Sequence, residues 1–409
     1  MPWTGLRYRL AIRTAERTER IIEGKQDYDM GALDGVRVIE LAGIGPGPFC
    51  GMMLADMGAD IVRIDRAGAV RGGDPAHPPA NVNARGRRSI GVDLKSEEGR
   101  DLVLRMVADA DVVFEGFRPG VAERLGLGPE DCMARNPAIV YGRMTGWGQD
   151  GPYAQTAGHD INYIALAGAL AHIGRDDTGP VPPLNLVGDF GGGGMYLAFG
   201  IVCALLSARS TGEGQVVDAA MVDGAASLMS FFYGMLHTGF ASERRGENML
   251  DTGAHFYDVY ECADGEYISI GSIEPQFYAE LIEKLGLDPD DFADQHDRSR
   301  WPELKAKVAA VVITRTRDEW DAVLEGSDVC YAPVLTVSEA IEHPHHVARG
   351  TFVESGGPET ARSGASSQRY PRIDSTTASP RGPAHRRVTG RVGLGADEVA
   401  ALRASGAVA

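Results

Sequence analysis

The segment QTAGHDINYIAL (155–166) sets His159 and Asp160 side by side at the entrance to an apolar stretch. Further on, NLVGDFGGGG (185–194) places Asp189 at the head of a run of four glycines. A histidine and a carboxylate brought together by a fold can act as an acid–base pair near neutral pH, one protonated while the other is not. Each also has a plainer reading, His159–Asp160 as a polar dipeptide before a buried segment and Asp189 as a helix N-cap. Four glycines exceed what a cap needs. They predict close approach of a ligand to the backbone, with amides left free at the positive end of a helix. Glu274, just before Pro275 in GSIEPQFYAELIEKLG (271–286), reads by itself as a helix start.

Two groups of cations accompany these residues. ARGRRSIGVDLK (84–95) gathers Arg85, Arg87, Arg88 and Lys95, and GFRPGVAERLGLG (116–128) adds Arg118 and Arg124. A salt-bridged face and a phosphate site both fit such a cluster. Its expected place at or near the C-terminal ends of sheet strands, where open α/β sheets bind ligands, favours phosphate. Other signals exclude chemistry. GIGPGP (43–48) departs from the dinucleotide spacing, and its two prolines remove amide donors, so it predicts a tight strand-to-helix turn. In HPHH (343–346) the proline and a helical context put the imidazoles on different faces, and no partner has zinc spacing; no metal is expected. No G-x-S-x-G elbow is present.

The elements that must position these groups alternate. VRVIELAG, GPGPFCGMMLADMGA and DIVRIDR predict strand, turn plus helix, and strand over 36–66. SIGVDL (89–94), a helix over 96–110 with Ser96 as N-cap, and DVVFEGF (111–117) repeat the unit, and IVYGRMTGWG (139–148) adds a strand. This is α/β architecture: a Rossmann-like large domain on a parallel sheet, over 31–215 and completed by about 350–409. FYDVYECADGEYISIGS (256–272) predicts a hairpin in a smaller α+β domain, 225–335. Residues 1–30 form an N-terminal extension, 355–388 a Ser/Arg/Pro-rich tether, and GLGADEVAALRASG a final helix.

The 409 residues carry 40 basic and 57 acidic side chains, a net charge of −17, which argues against nucleic acid or an anionic membrane as partner. Five scattered cysteines, without C-x-x-C, suit a reducing cytoplasm. The most apolar stretch, MYLAFGIVCALL (195–206), ends at Ser207 and Arg209, short of a membrane span. The N-terminus lacks the apolar run of a secretory signal.

Taken in order, LDGVRVIELAGIGPGPFCGMMLADMGADIVRIDR, RRSIGVDLK, FRPGVAERLGLGP, MTGWGQDGPY, AGHDINYIALAG, PVPPLNLVGDFGGGG, GQVVDAAMVDGA and IEPQFYAEL resemble the α-methylacyl-CoA racemases of the family III CoA-transferase superfamily. The resemblance covers about 33–350, and the racemase branch rests chiefly on AGHD, GDFGGG and IEPQFY. It implies the family III fold, an interlocked homodimer, an acyl-CoA substrate and no cofactor. His159 and Asp189 match the two bases that take and return an α-proton, and Glu274, arriving from the partner chain, matches the residue supporting the histidine. Asp160 would offer its main-chain amide to the thioester oxygen. The same match assigns CoA contacts to Arg66, Lys95, Arg118 and Arg124, with Arg88 nearby, and places Ile44 and Pro46 along the adenine and pantetheine path. Met144, Met221, Met229 and Met235 read either as an adaptable surface for acyl tails or as core. The alternative activity is CoA transfer between carboxylic acids, in which Asp160 attacks the acyl-CoA to form an anhydride. An acyl-CoA-binding module without catalysis is the third class. The extension, the longer loop at 67–84 and the tether depart from the racemase pattern.

Overall fold

The computed structural model describes residues 31–69, 82–354, 359–361 and 396–408. The N-terminal extension, most of the 67–84 loop and nearly all of the tether lie outside these residues. Strands β1 (Arg37–Leu41), β2 (Asp60–Arg66), β3 (Arg87–Val92), β4 (Val112–Glu115), β5 (Val140–Thr145) and β6 (Val216–Ala220) form one six-stranded sheet in the order β3-β2-β1-β4-β5-β6. Every pairing in it is parallel. The central strands are buried on both faces and apolar but for Glu40, Glu115 and the exposed Arg37 at the start of β1, as burial under helices on both sides requires.

Helix α1 (Pro46–Asp56) covers one face with α6 (Met195–Thr211), burying Cys50, Leu54, Leu197 and Ile201 together. Helices α2 (Glu97–Ala108) and α4 (Pro129–Arg135) cover the other, through Leu102, Val107 and Cys132. Ser96 caps α2 by accepting from the Gly99 amide at 3.0 Å, with Glu97 and Glu98 in the first turn complementing the helix dipole. The C-terminal helix, Ala396–Ala404, returns to this face: Leu402 and Val408 join its core, and Val408 bridges to Val92.

The GDFGGGG segment departs from expectation. It is not a loop opening into a helix but a stretch of π-helix, Leu186–Gly194, running unbroken into α6. Its glycine amides lie inside a helix, and what approaches them is protein. A Cβ at Gly193 would stand 2.8 Å from Met221 Cγ, and one at Gly194 2.8 Å from the Pro46 carbonyl. The continuous helix Leu186–Thr211 is 26 residues long, so by length and composition it could cross a membrane, contrary to the reading of 195–206 alone. Its inward residues pack in the core of the large unit.

Residues 257–333 carry the predicted hairpin, β7 (Tyr257–Glu261) with β8 (Tyr267–Gly271), extended by β9 (Tyr331–Pro333) into an antiparallel sheet. Helices Pro275–Leu285, Trp301–Val312 and Arg317–Leu324 close its core around Phe256, Trp301 and Trp320.

A very close contact joins the π segment to α7 (Met221–Leu228): a Cβ on Gly224 would fall 1.9 Å from the Gly192 carbonyl oxygen. Gly224→Ala is therefore expected to destabilise the fold by about 3 kcal/mol, read as a lower midpoint in urea denaturation. An unchanged midpoint would mean the two helices separate without cost.

Candidate active site

The order of the sheet reverses beside β1, with α1 covering one face and α2 and α4 the other, so a crevice forms at the C-terminal ends of β1 and β4. The structure has a cleft of about 410 Å³ there. Its walls come from the turn after β1 (Gly43–Pro48), the loop after β4 (Gly116–Pro119), the end of β5 (Met144–Trp147) and the segment before His159. His159 and Asp189 both line it.

Each of these two side chains is held by local chemistry. His159 is the N-cap of α5 (Asp160–Leu166) through its main chain, its amide donating to Asn162 Oδ1 at 3.0 Å. The exposed imidazole makes no capping bond and faces the cleft. Tyr163 braces the approach: its hydroxyl donates to the Gly158 carbonyl, and its ring packs edge-on to Trp147 at 4.8 Å. Asp189 sits in the first turn of the π segment, not at an N-cap, and its carboxylate accepts from Asn185 Nδ2 at 3.2 Å. A Cβ on Gly45 would lie 3.1 Å from Asp189 Oδ2, so the glycine, at φ +66°, leaves room for the carboxylate over the GIGPGP turn.

Asp160 plays a different part. It is only 6% exposed, and its Oδ2 accepts from the Asp189 amide at 2.7 Å. Its Oδ1 is buried without a hydrogen bond among the described residues. The Asp160 amide, first of a helix, has no intrahelical acceptor. Burial raises the Asp189 carboxyl above the usual aspartate range and the Asp160 charge adds to this, while the Asn185 amide and the His159 imidazole oppose it.

Glu274 stands apart. It is the exposed N-cap of the helix Pro275–Leu285 in the smaller unit, and it does not line the cleft of its own chain. Ile44, 84% exposed, and the buried Pro46 line the cleft, as does Arg118. Arg66 ends β2, Lys95 follows β3, and Arg124 ends the short helix α3 (Val121–Arg124). All four cations, Arg118 included, are exposed, and among the described residues none has a carboxylate within ion-pair distance.

The Arg85–Arg88 cluster corrects an expectation. Arg87 and Arg88 are the first two residues of β3, at the end of the sheet away from the cleft, and all three arginines are paired, Arg85 with Asp56, Arg87 with Glu40 and Arg88 with Asp60. Arg88 is thus engaged by a carboxylate at the start of its strand. Met144 and Met221 are buried walls of the cleft, and Met235 is buried outside it. At HPHH, His343 breaks the chain between two short helices and accepts from the His345 amide; no metal-ligating group occurs among the described residues.

Two residues escaped the sequence reading, Glu40 and Asn185. Glu40, fully buried, floors the cleft between Arg63, at 2.8 Å, and Arg87. Asn185 was legible as the residue four before Asp189 on one helix; Glu40 had no signal beyond an acid within an apolar strand.

The Asn185 bond yields a test. Asp189 is expected to titrate above the ordinary ~3.9 of an aspartate, and higher still in Asn185→Ala, because a donor to the ionised form is lost. A 13C titration of the carboxyl in both proteins checks this; a downward move would contradict the assigned balance.

The chain matches the family model described as CoA-transferase family III over residues 33–385. It is 48% identical over 324 residues, 79% of this chain and 83% of the relative, to the mouse (Mus musculus) protein named alpha-methylacyl-CoA racemase. To the succinyl-CoA–D-citramalate CoA-transferase of Chloroflexus aurantiacus it is 32% identical, with 91% of this chain and 97% of the relative covered. Among solved structures, a CAIB/BAIF family protein from Brucella suis superposes with a TM-score of 0.76 at 27% identity, covering 89% of this chain and all of that one. With its fold, its ordered motifs and its full-length relatives in agreement, the chain belongs to CoA-transferase family III.

Proposed function

We propose that this protein interconverts (R)- and (S)-2-methylacyl-CoA thioesters by exchanging the α-proton between two bases. The observation that carries the reading is the division of labour among three neighbours: His159 and Asp189 face the cleft, while the Asp160 carboxylate is buried beneath them and takes the Asp189 amide. One base removes the α-proton, the electron pair moves onto the thioester carbonyl as an enolate, and the other base delivers a proton to the opposite face. The Asp160 amide, at the positive end of α5, is the donor assigned to the enolate oxygen. Two side chains suffice for this chemistry, so no cofactor enters it. The 48% identity to a relative named as a racemase supports the same reading.

CoA would lie along Ile44 and Pro46, with its phosphates toward Arg66, Lys95, Arg118 and Arg124. A homodimer completes the site, the partner chain's Glu274 supporting His159. In favour of an interface, α6 exposes Phe199 and Leu206 at 72% and 64%, and α8 (Ser230–His237) exposes Phe231 at 68%. Dispersed, unpaired cysteines favour a cytoplasmic enzyme. CoA transfer through an Asp160 anhydride requires that carboxylate to reach a thioester carbon, which its burial and its bond to the Asp189 amide oppose.

The test is incubation with (R)-2-methylacyl-CoA in D2O with and without a carboxylate acceptor. Inversion with α-deuterium uptake, indifferent to acceptor and reduced about 10³-fold in His159→Ala and Asp189→Ala, is the expected result. A new acyl-CoA formed only with acceptor, without deuterium and lost in Asp160→Ala, would make the enzyme a transferase.

A further inference from the structure

Glu115 ends β4 immediately before the loop that carries Arg118 into the cleft. Only 3% exposed, it does not line the cleft, whose wall is formed by its neighbours Phe114, Gly116 and Phe117. Its Oε2 accepts the main-chain amide of Phe117, two residues on, at 2.5 Å. A carboxylate in this position pins the first turn of the loop to the strand end. Around it stand Arg143 and Tyr141 on β5, Glu123 on α3 and Asp218 on β6. Arg143 is already engaged by Glu123 and by Gln149. The Phe117 amide is therefore the hydrogen bond that ties Glu115 to the cleft wall, and Arg118 follows it directly in sequence, exposed and without an ion-pair partner among the described residues.

We propose that Glu115 is a positioning residue for CoA capture: by holding the Phe117 amide it fixes the Gly116–Gly120 loop, and Arg118 with it, at the rim of the cleft. The inference rests on the CoA-binding reading above and adds to it a residue that touches no substrate. Burial also pushes the Glu115 carboxyl up to about 7, against the pull of the Phe117 amide and Arg143. The charge-assisted form of the bond is then present above that pH and is lost as pH falls through it, so CoA affinity should decline between about pH 8 and 6.

A tether and a field effect predict opposite patterns. Glu115→Asp keeps the charge and loses the reach to Phe117; Glu115→Gln loses the charge and keeps an acceptor of the right length. Calorimetric titration of the full-length protein with CoA should give Glu115→Asp and Glu115→Ala about tenfold weaker binding. Glu115→Gln should stay within about threefold of wild type at pH 8, with its affinity flat between pH 8 and 6. In an Arg118→Ala background the penalty of Glu115→Asp should vanish, because the tether acts through that guanidinium. Binding by Glu115→Asp equal to wild type, or an undiminished penalty without Arg118, overturns the inference. Tighter binding in both Glu115→Ala and Glu115→Gln would mean that the carboxylate acts only by repelling phosphate, which overturns it too. If the wild-type protein does not bind CoA, the CoA reading itself fails, and this inference with it.

Discussion

The site hangs on the hydrogen bond from the Asp189 amide to the Asp160 carboxylate. Asp160 follows His159 in the chain, so this one contact sets the spacing between the two cleft-facing side chains, His159 and Asp189. A charge-assisted bond of this kind contributes about 1.5–3 kcal/mol, and here it also accounts for burying a carboxylate at a helix start. Gly188 makes it possible: a Cβ there would come within 2.7 Å of Asp160 Oδ2. The same carboxylate helps hold the Asp189 carboxyl above its usual range, so geometry and proton affinity are adjusted by one side chain.

The second constraint is steric. The π-helical turn carrying Asp189 is squeezed between α1 and α7, and its glycines meet Pro46, Phe49, Met221 and Gly224 at distances that no side chain could share. Phe190 stacks on Phe49 at 4.7 Å to close the contact. π-helical turns are less stable than α-helix and persist where packing enforces them, often at functional sites. Here the enforced turn brings the Asp189 carboxylate over the turn after β1, within reach of a ligand in the cleft.

Charge is arranged with a similar separation of roles. Arginines at the start of β3 and within β2 are consumed by Asp56, Asp60 and the buried Glu40, where they bind the sheet together. A buried pair of this type adds little net stability but is costly to break, which suits a cleft floor that must not shift. Arg66, Lys95, Arg118 and Arg124, which have no carboxylate within ion-pair distance among the described residues, lie at strand ends or on the loops that follow, on the side where the cleft opens. An acidic protein can in this way present a locally basic rim to an anionic ligand.

Local patterns in the sequence determined much of this. Period-two and period-3.6 alternation fixed the βαβ units, because strand and helix write different periods into burial. Ser96, Pro46 and the glycine turns marked boundaries through backbone chemistry that acts within a few residues. His159, Asp160 and Asp189 were legible as a group through the resemblance their motifs carry. What only the tertiary structure decided involves contacts between distant segments. It made the glycines a packing surface against α1 and α7 instead of a ligand cradle, and it extended the apolar helix back to Leu186. Arg88 went to Asp60, since a basic cluster reads the same in sequence at either end of a strand. The burial of Asp160 and the separation of Glu274 from the cleft of its own chain also lay beyond local pattern. Propensity acts between neighbours in the chain, whereas burial and ion pairing are settled by whichever segments the fold brings together.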